Sequence, residues 1–414
     1  MDEDLCGVSE TAARDVPQFS VEAPDRVFLI AGGGIGGLAT ALALAQRGFS
    51  SHVLEKRTAF SAEGAGIQIG PNGGRVLAKL GLSDALHPMA GIPDAVRVHD
   101  GRTGDVLCRI PLGDHISHRY GAPYWVFHRA DLHAALLQAV ENCPLITLQL
   151  TAEVTGISNS ADEVNAETAD GRQLAGAGLI AADGLWSDLR SQFFDARAPV
   201  FSKRSAARAV LPIEDVPSGI VSRDVGLWLS EQAHVVHYPV RGGNEFALIV
   251  VRHDESQTPG WGADVSPTWV REGVRSFAPV LRDLISAVSD WRKWGLYDLP
   301  KTQTFAKGRV ALLGDAAHPI LPFLAQGGVM ALEDGWVLAQ CVAAHKDVDA
   351  AFSAYQLARR QRVAQVQEAS RRNGRVYHMS GALAMARNFA LKAAPSSMLL
   401  AQYDWLYGWC PDNV

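Results

Sequence analysis

Arg26-Val27-Phe28-Leu29-Ile30-Ala31-Gly32-Gly33-Gly34-Ile35-Gly36-Gly37 is the stretch on which the fold turns. Its first six residues read as a buried parallel strand, and Leu38 to Arg47 read as a helix rich in small residues, stopped near Gly48. Glycines at 32, 34 and 37 suit a tight turn, a close approach to a pyrophosphate and a close helix–strand contact. The next strand, Ser51-His52-Val53-Leu54, ends on Glu55, 21 residues after Gly34. A carboxylate at that strand end suits ribose hydroxyls, so the segment predicts a dinucleotide-binding βαβ unit.

A second stretch lies almost three hundred residues downstream, at 312–334, LLGDAAHPILPFLAQGGVMALED. The apolar run Val310 to Leu313 ends on Gly314-Asp315, a proline-braced loop follows, and Gly327-Gly328 opens a helical pattern. Such a turn offers backbone N–H groups and a helix N-terminus to an anion or an electron-rich ring edge. Two such elements can hold opposite parts of one large ligand.

The bulk of the chain fits a soluble enzyme. At 414 residues and 48% hydrophobic it can build a large core and two domains. A formal net charge of −6, with both signs intermixed, argues against nucleic acid as a partner. Cys6, Cys108, Cys143, Cys341 and Cys410 are scattered, without metal-ligand spacing, which points to reduced thiols in a cytoplasm and to no metal. No apolar run reaches transmembrane length, so integral membrane association is not expected. Residues 1–24 are acidic, lack an apolar centre and read as a flexible leader.

Strand and helix patterns alternate over 26–97. Tyr124 to Val140 reads as a strand passing into a helix, and Leu179-Ile180-Ala181-Ala182 as a short buried strand ending on Asp183-Gly184. Between about 200 and 260 the texture becomes two-residue alternation with turns, the mark of antiparallel sheet inserted between α/β portions. Residues 351–380 form an arginine-rich helical pattern, read as surface-facing. The expected architecture is α/β: a discontinuous nucleotide domain from 25–97, 121–198 and 296–414, ending in helices, with a substrate domain from 98–120 and 199–295.

Gly32-x-Gly34-x-x-Gly37, Ala182-Asp183-Gly184 with Arg190, and Gly314-Asp315-Ala316-Ala317-His318-Pro319 together resemble the single-component FAD-dependent aromatic hydroxylases. Within that group the chain is most similar to the salicylate, 3-hydroxybenzoate and 6-hydroxynicotinate hydroxylase branch, through His128-Arg129-Ala130-Asp131-Leu132-His133, His234 to Pro239 and Ala325-Gln326-Gly327. The resemblance implies a p-hydroxybenzoate hydroxylase-like fold: a Rossmann-like FAD-binding domain with an inserted antiparallel β-sheet substrate domain and C-terminal helices. It implies FAD held by Gly32, Gly34, Ile35, Gly36 and Gly37 at its pyrophosphate and by Glu55 and Lys56 near the adenosine. Arg129 and Asp315 would serve the ribityl and phosphate region and Asp183 both FAD and the nicotinamide nucleotide, with Pro322, Gly328 and Val329 on the flavin and Gln68 on flavin or substrate. Asp183 reads almost equally well as a simple strand-end turn. Ala325 stands where many relatives carry glycine, and Gln68 stands where hydroxynicotinate enzymes place a histidine.

The resemblance further implies an NAD(P)H-consuming monooxygenase that uses O2, through a flavin C4a-hydroperoxide, to hydroxylate a small phenolic acid, with or without decarboxylation. A base should then contact the ring hydroxyl. In an extended strand His234, Val236 and Tyr238 share one face and His237 the other. His234 is therefore expected as base and Tyr238 as its hydroxyl partner in the same pocket, with Gln326 bonding substrate or flavin. Competing readings are a flavin oxidase or halogenase-like enzyme and a non-catalytic FAD-binding protein. Trp291-Arg292-Lys293-Trp294 has the wrong spacing for the halogenase motif. NADH and NADPH are both open, as are monomer and homodimer.

Overall fold

The computed structural model describes residues 26–60, 65–194, 197–257, 262–299 and 304–413. The leader, 1–24, lies outside the described residues. Strand β1 (Val27–Ala31) runs between β2 (Ser50–Leu54) and β4 (Gly178–Ala181), parallel to both. The six-stranded sheet continues to Ile146–Gln149 on one side and to β6 (Val310–Leu312) on the other, where Ala306–Lys307 closes it antiparallel. Phe28, Leu29 and Ile30 are wholly buried. Unbroken apolarity is what a parallel strand covered on both faces requires, and each such side chain contributes about 1.5–3 kcal/mol on leaving water. Because β1 has neighbours reached by opposite crossings, its carboxyl end is a switch point where a crevice opens.

Helix α1 (Ile35–Ala45) follows β1 and is buried almost all round, so its Ala-Leu composition reflects packing on both sides. Strand β3 (Gly66–Ile69) pairs with Trp125–His128, which runs directly into helix α2 (Arg129–Glu141). Helix α3 (Gly327–Ala344) and the 30-residue α4 (Val348–Tyr377) complete the layer.

The second sheet has eight strands, in the order Ala263–Val265, Trp291–Asp298, Val200–Pro212, Glu245–His253, β5 (Ala233–Val240), Val225–Leu229, Ala95–Asp100 and Val106–Pro111. All its pairings are antiparallel except Val225–Leu229 with Ala95–Asp100. The strand at Ala95–Asp100 straddles residue 98, where the sequence suggested a boundary. Its hydrogen bonds tie all six residues to this sheet, while composition carries no mark of that pairing.

The arginine-rich helix differs from its surface-facing expectation. Arg359 of α4 is 1% exposed and meets Asp334 and Glu333 of α3, while Arg362 takes Glu333 through two nitrogens. Arg359 and Arg362 point inward because α3 presents two wholly buried carboxylates there, while Arg360, Arg372 and Arg375 keep the other face of the helix to solvent.

Candidate active site

Three turns far apart in sequence meet at the carboxyl ends of the parallel strands. Gly32 has φ 113°, and a Cβ on it would sit 2.5 Å from the Ala182 carbonyl oxygen. This contact sets the first turn against Asp183. A Cβ on Gly36 would fall 2.8 Å from Leu313 Cδ2 and 3.1 Å from Ala331 Cβ, so α1 is pressed onto the end of β6 and onto α3. Gly37 is just as tightly held against the Gly32 carbonyl, and Ile35 is buried as the first residue of α1. Gly34 is the exception, with nothing within 4 Å of its Cβ position. Arg190, fully buried, braces the set by donating to Leu185 O at 2.8 Å and Ala316 O at 3.0 Å.

Neither α1 nor α3 has a side-chain cap or an acidic residue in its first turn. Both helix heads therefore present unpaired amides and positive dipole ends to the crevice. Glu55 stands just beyond β2, its Oε2 accepting from Gly33 N at 2.8 Å and its Oε1 from Arg57 N at 3.0 Å. Arg129 and Asp315 interact electrostatically across the crevice; burial pushes the Asp315 carboxyl above its ordinary range, against the pull of His318 and Arg129. Asp183 is raised by burial too, and its Oδ1 is buried without a hydrogen-bond partner. A Cβ on Gly328 would lie 3.0 Å from Ile67 Cδ1, so the head of α3 faces β3, and Val329 is wholly buried beside it. Lys56 instead points outward, 3.7 Å from Glu153, with most of its side chain exposed.

Beside this crevice lies a cavity of about 300 Å³, large enough for a substituted aromatic ring. One face of the eight-stranded sheet forms its floor, with Val96 and Val98, Cys108 and Ile110, Val225, Leu227 and Leu229, and His234 and Val236 all spaced by two. Gln68, Tyr124, Pro322, Leu324 and Ala325 line its crevice side. Asn373 and Tyr377 of α4, with Leu399 and Tyr403 beyond, close it. Arg372, an exposed residue, is the one cationic side chain among the described lining residues.

The face assignment in β5 separates two histidines. His234 lines the cavity, whereas His237 lies under the sheet, accepting from Trp228 Nε1 at 2.9 Å and stacking on Phe246. The expectation that Tyr238 shares the His234 pocket needs correction. Four residues of strand put their Cα atoms about 13 Å apart. Tyr238 is wedged against Gly66, hydrogen-bonded to Gln68, and does not line the cavity. Gln68 also accepts from Tyr124 at 2.6 Å. Gln326 is likewise outside the lining: it is 1% exposed, and its Oε1 accepts from Asn72 at 3.0 Å, part of the network that Asn72 extends to Glu333 at 2.8 Å.

Sequence reasoning passed over the neighbours of His234. Phe323, Tyr377 and His378 surround its ring at centroid distances of 5.5, 5.3 and 5.0 Å. The available signal was Asn373, Val376 and Tyr377, an i, i+3, i+4 set inside the arginine-rich helix.

Uncapped helix heads, the open space at Gly34 and the orphaned Asp183 oxygen fit a dinucleotide that carries its own anionic middle, and fold and site together define a flavoprotein of the Rossmann-like class. The family model described as "FAD binding domain" matches residues 26–370, and the chain belongs to that family, among its FAD-dependent aromatic monooxygenases. It is 36% identical to 3-hydroxybenzoate 6-hydroxylase of Polaromonas naphthalenivorans (strain CJ2) over 94% of this chain and 97% of that protein. It is 34% identical to 6-hydroxynicotinate 3-monooxygenase of Pseudomonas fluorescens over 83% and 90%. Among solved structures, Klebsiella pneumoniae HpxO complexed with FAD and uric acid superposes with a TM-score of 0.82 at 25% identity, covering 92% of this chain and 96% of that one. No helix among the described residues is long and apolar enough to cross a membrane.

Proposed function

We propose that the chain hydroxylates a small phenolic acid or related hydroxylated aromatic ring in the cavity, with His234 as the base at the ring hydroxyl. FAD bound in the crevice and reduced by NADH or NADPH would activate O2 for transfer of one oxygen atom to the ring. The single observation that carries the reading is that one apolar cavity joins His234 to the crevice side at Gln68, Pro322 and Ala325. An aliphatic floor keeps water from the ring, and that dryness strengthens every polar contact made there. Burial, then His378 and Arg204, hold His234 well below the ordinary histidine range, so at neutral pH its ring carries a lone pair and no charge. Names of the relatives support a hydroxybenzoate or hydroxypyridine carboxylate as substrate.

FAD contacts are assigned by the same proposal to Gly32, Gly34, Gly36 and Gly37 at the pyrophosphate, Glu55 at the adenosine ribose, and Arg129, Asp183 and Asp315 along the ribityl chain. Gly328 and Val329 donate amides at the ring, where the α3 dipole favours added negative charge. Tyr238 and Gln326 serve as braces, through Gln68 and Asn72. The boundary between the nucleotide and substrate portions is proposed at the start of the strand Ala95–Asp100, and the working compartment as the cytoplasm.

The test is a coupling assay. Benzoates hydroxylated at different positions are screened for stimulated NAD(P)H oxidation, with identification of the product. Stimulated oxidation with a hydroxylated product supports the reading; oxidation giving hydrogen peroxide alone across the panel overturns it. Arg372→Gln separates substrate classes within it. An exposed cation contributes about 1 kcal/mol or less, so KM for carboxylate-bearing rings should rise about three- to fivefold with kcat and neutral phenols unaffected.

A further inference from the structure

His234 does not stand alone. Its Nδ1 lies 3.1 Å from Nε2 of His378, and Nδ1 of His378 lies 2.7 Å from the carbonyl oxygen of Gly374, one turn back in α4. A carbonyl only accepts, so His378 Nδ1 carries the proton. A neutral imidazole with Nδ1–H has its lone pair on Nε2. That lone pair can only be matched by a proton on His234 Nδ1. The chain of donors therefore fixes His234 in one tautomer, with its lone pair on Nε2, the nitrogen that His378 does not engage.

We propose that His378 is a positioning residue that orients His234, fixes its tautomer and shares the proton that His234 takes from the substrate hydroxyl. This rests on the assignment of His234 as base. In the step, the ring O–H bond breaks and an N–H bond forms at His234 Nε2. The Nδ1 proton of His234 passes to Nε2 of His378, which leaves His234 neutral in the opposite tautomer, His378 as a cation and the substrate as a phenolate. No electrons change hands.

The surroundings agree with transient rather than standing charge. Arg204, from the strand Val200–Pro212, faces both imidazoles, and Arg387, from the helix Gly381–Ala393, faces His378. Tyr377, beside them, donates its hydroxyl to Phe323 O at 3.1 Å. Burial and these two cations oppose a resting imidazolium; His378 is held down at about 4. A proton is retained only while the new phenolate lies opposite. His378 is half-buried where His234 is 3% exposed, so the outer imidazole is the one nearer solvent.

The test uses FAD-loaded enzyme and three variants, His378→Phe, His378→Gln and His234→Gln. Phenylalanine fills the space and accepts nothing; glutamine can donate to Gly374 O and accept from His234, though it cannot carry the proton. Expected for His378→Phe is a roughly 10- to 100-fold loss of kcat, with KM and FAD content little changed. The pH at which a bound phenolic ligand ionises, read from its absorbance without turnover, should rise. His378→Gln, which keeps the hydrogen bond but cannot hold the proton, should restore the His234 tautomer while recovering only a minor part of kcat and of the ligand ionisation. Nitrogen NMR of labelled histidine should find His234 unprotonated at Nε2 in the parent and of mixed tautomer in His378→Phe. A His378→Phe enzyme with parental kcat and ligand ionisation, while His234→Gln is impaired, overturns the relay and spares the base. Parental turnover in His234→Gln overturns both.

Discussion

Arg359 places its Nε 2.7 Å from Asp334 Oδ1 with both side chains sealed from solvent, and Nη1 reaches Glu333 Oε2 at 2.8 Å. Asp334 in turn accepts from Gly314 N at 3.1 Å, at the head of the loop that carries Asp315. Burial alone would raise Asp334, yet His318 and Arg359 hold it at about 2. The pairing thus connects α4 to the cofactor loop through a carboxylate kept charged inside the protein. Replacing Arg359 by methionine takes one of two cationic partners from each of two buried carboxylates, leaving Asp334 to His318 and Glu333 to Arg362, which costs about 3–5 kcal/mol. Thermal melting of Arg359→Met should show a large drop, with weakened FAD retention because the Gly314 turn loses its anchor. A parental melting point would remove this account of α4.

Gly34 separates a cofactor effect from a folding effect. With φ −78° and nothing within 4 Å of the Cβ position, Gly34→Ala should fold with parental stability. The added methyl occupies space in front of the α1 amides, so FAD affinity should fall by roughly tenfold or more, about 1.4 kcal/mol. Flavin fluorescence titration of the apoprotein reads it directly. Equal affinity in the variant would place the pyrophosphate elsewhere.

Ala325 is held at φ 52°, ψ 40°, a left-handed conformation that costs a residue with a Cβ about 1–2 kcal/mol. Ala325→Gly should stabilise the enzyme by up to about 1 kcal/mol, after the extra unfolded-state entropy of glycine is deducted. Since Ala325 lines the cavity beside Pro322, loss of its methyl should raise KM for small rings more than it changes kcat. Denaturant melts and steady-state kinetics on one preparation check both halves.

His237 supplies a pH signature of stability that does not involve the active site. Burial, with His99 nearby, lowers it to about 3 from the ordinary 6.5. Folding therefore favours its neutral form, and the unfolded chain binds the extra proton between these values. Stability is full above pH 6.5 and declines as pH falls toward 3, by up to about 1.4 kcal/mol per pH unit. His237→Gln, which can still accept from Trp228 Nε1, should flatten that slope by about one proton. Urea unfolding of both proteins between pH 4.5 and 7.5 tests it, and identical slopes would contradict the assignment.

The turn glycines and the β5 face pattern were legible because their causes are local. A close backbone approach demands glycine whatever else the chain does, and a strand alternates its faces regardless of its neighbours. Hence Gly32, Gly37 and the split between His234 and His237 could be read directly. Arg359 could not, since arginines of the same helix lie outside it, as Arg375 does, or inside it, according to what α3 presents. His378 carried no mark either, as its meaning depends on a carbonyl one turn back and on an imidazole 144 residues earlier.

From the linear order of residues alone came the βαβ unit, the inserted antiparallel sheet, the flavin-type turns and the outward or inward sense of each β5 side chain. Tertiary packing alone decided that Tyr238 and Gln326 brace the walls, that Lys56 faces solvent, and that two histidines from different elements share a hydrogen bond. The division has one physical reason. Backbone conformation and strand or helix period are short-range properties of the chain, whereas the state of a buried charge or imidazole is set by whichever distant group supplies its partner.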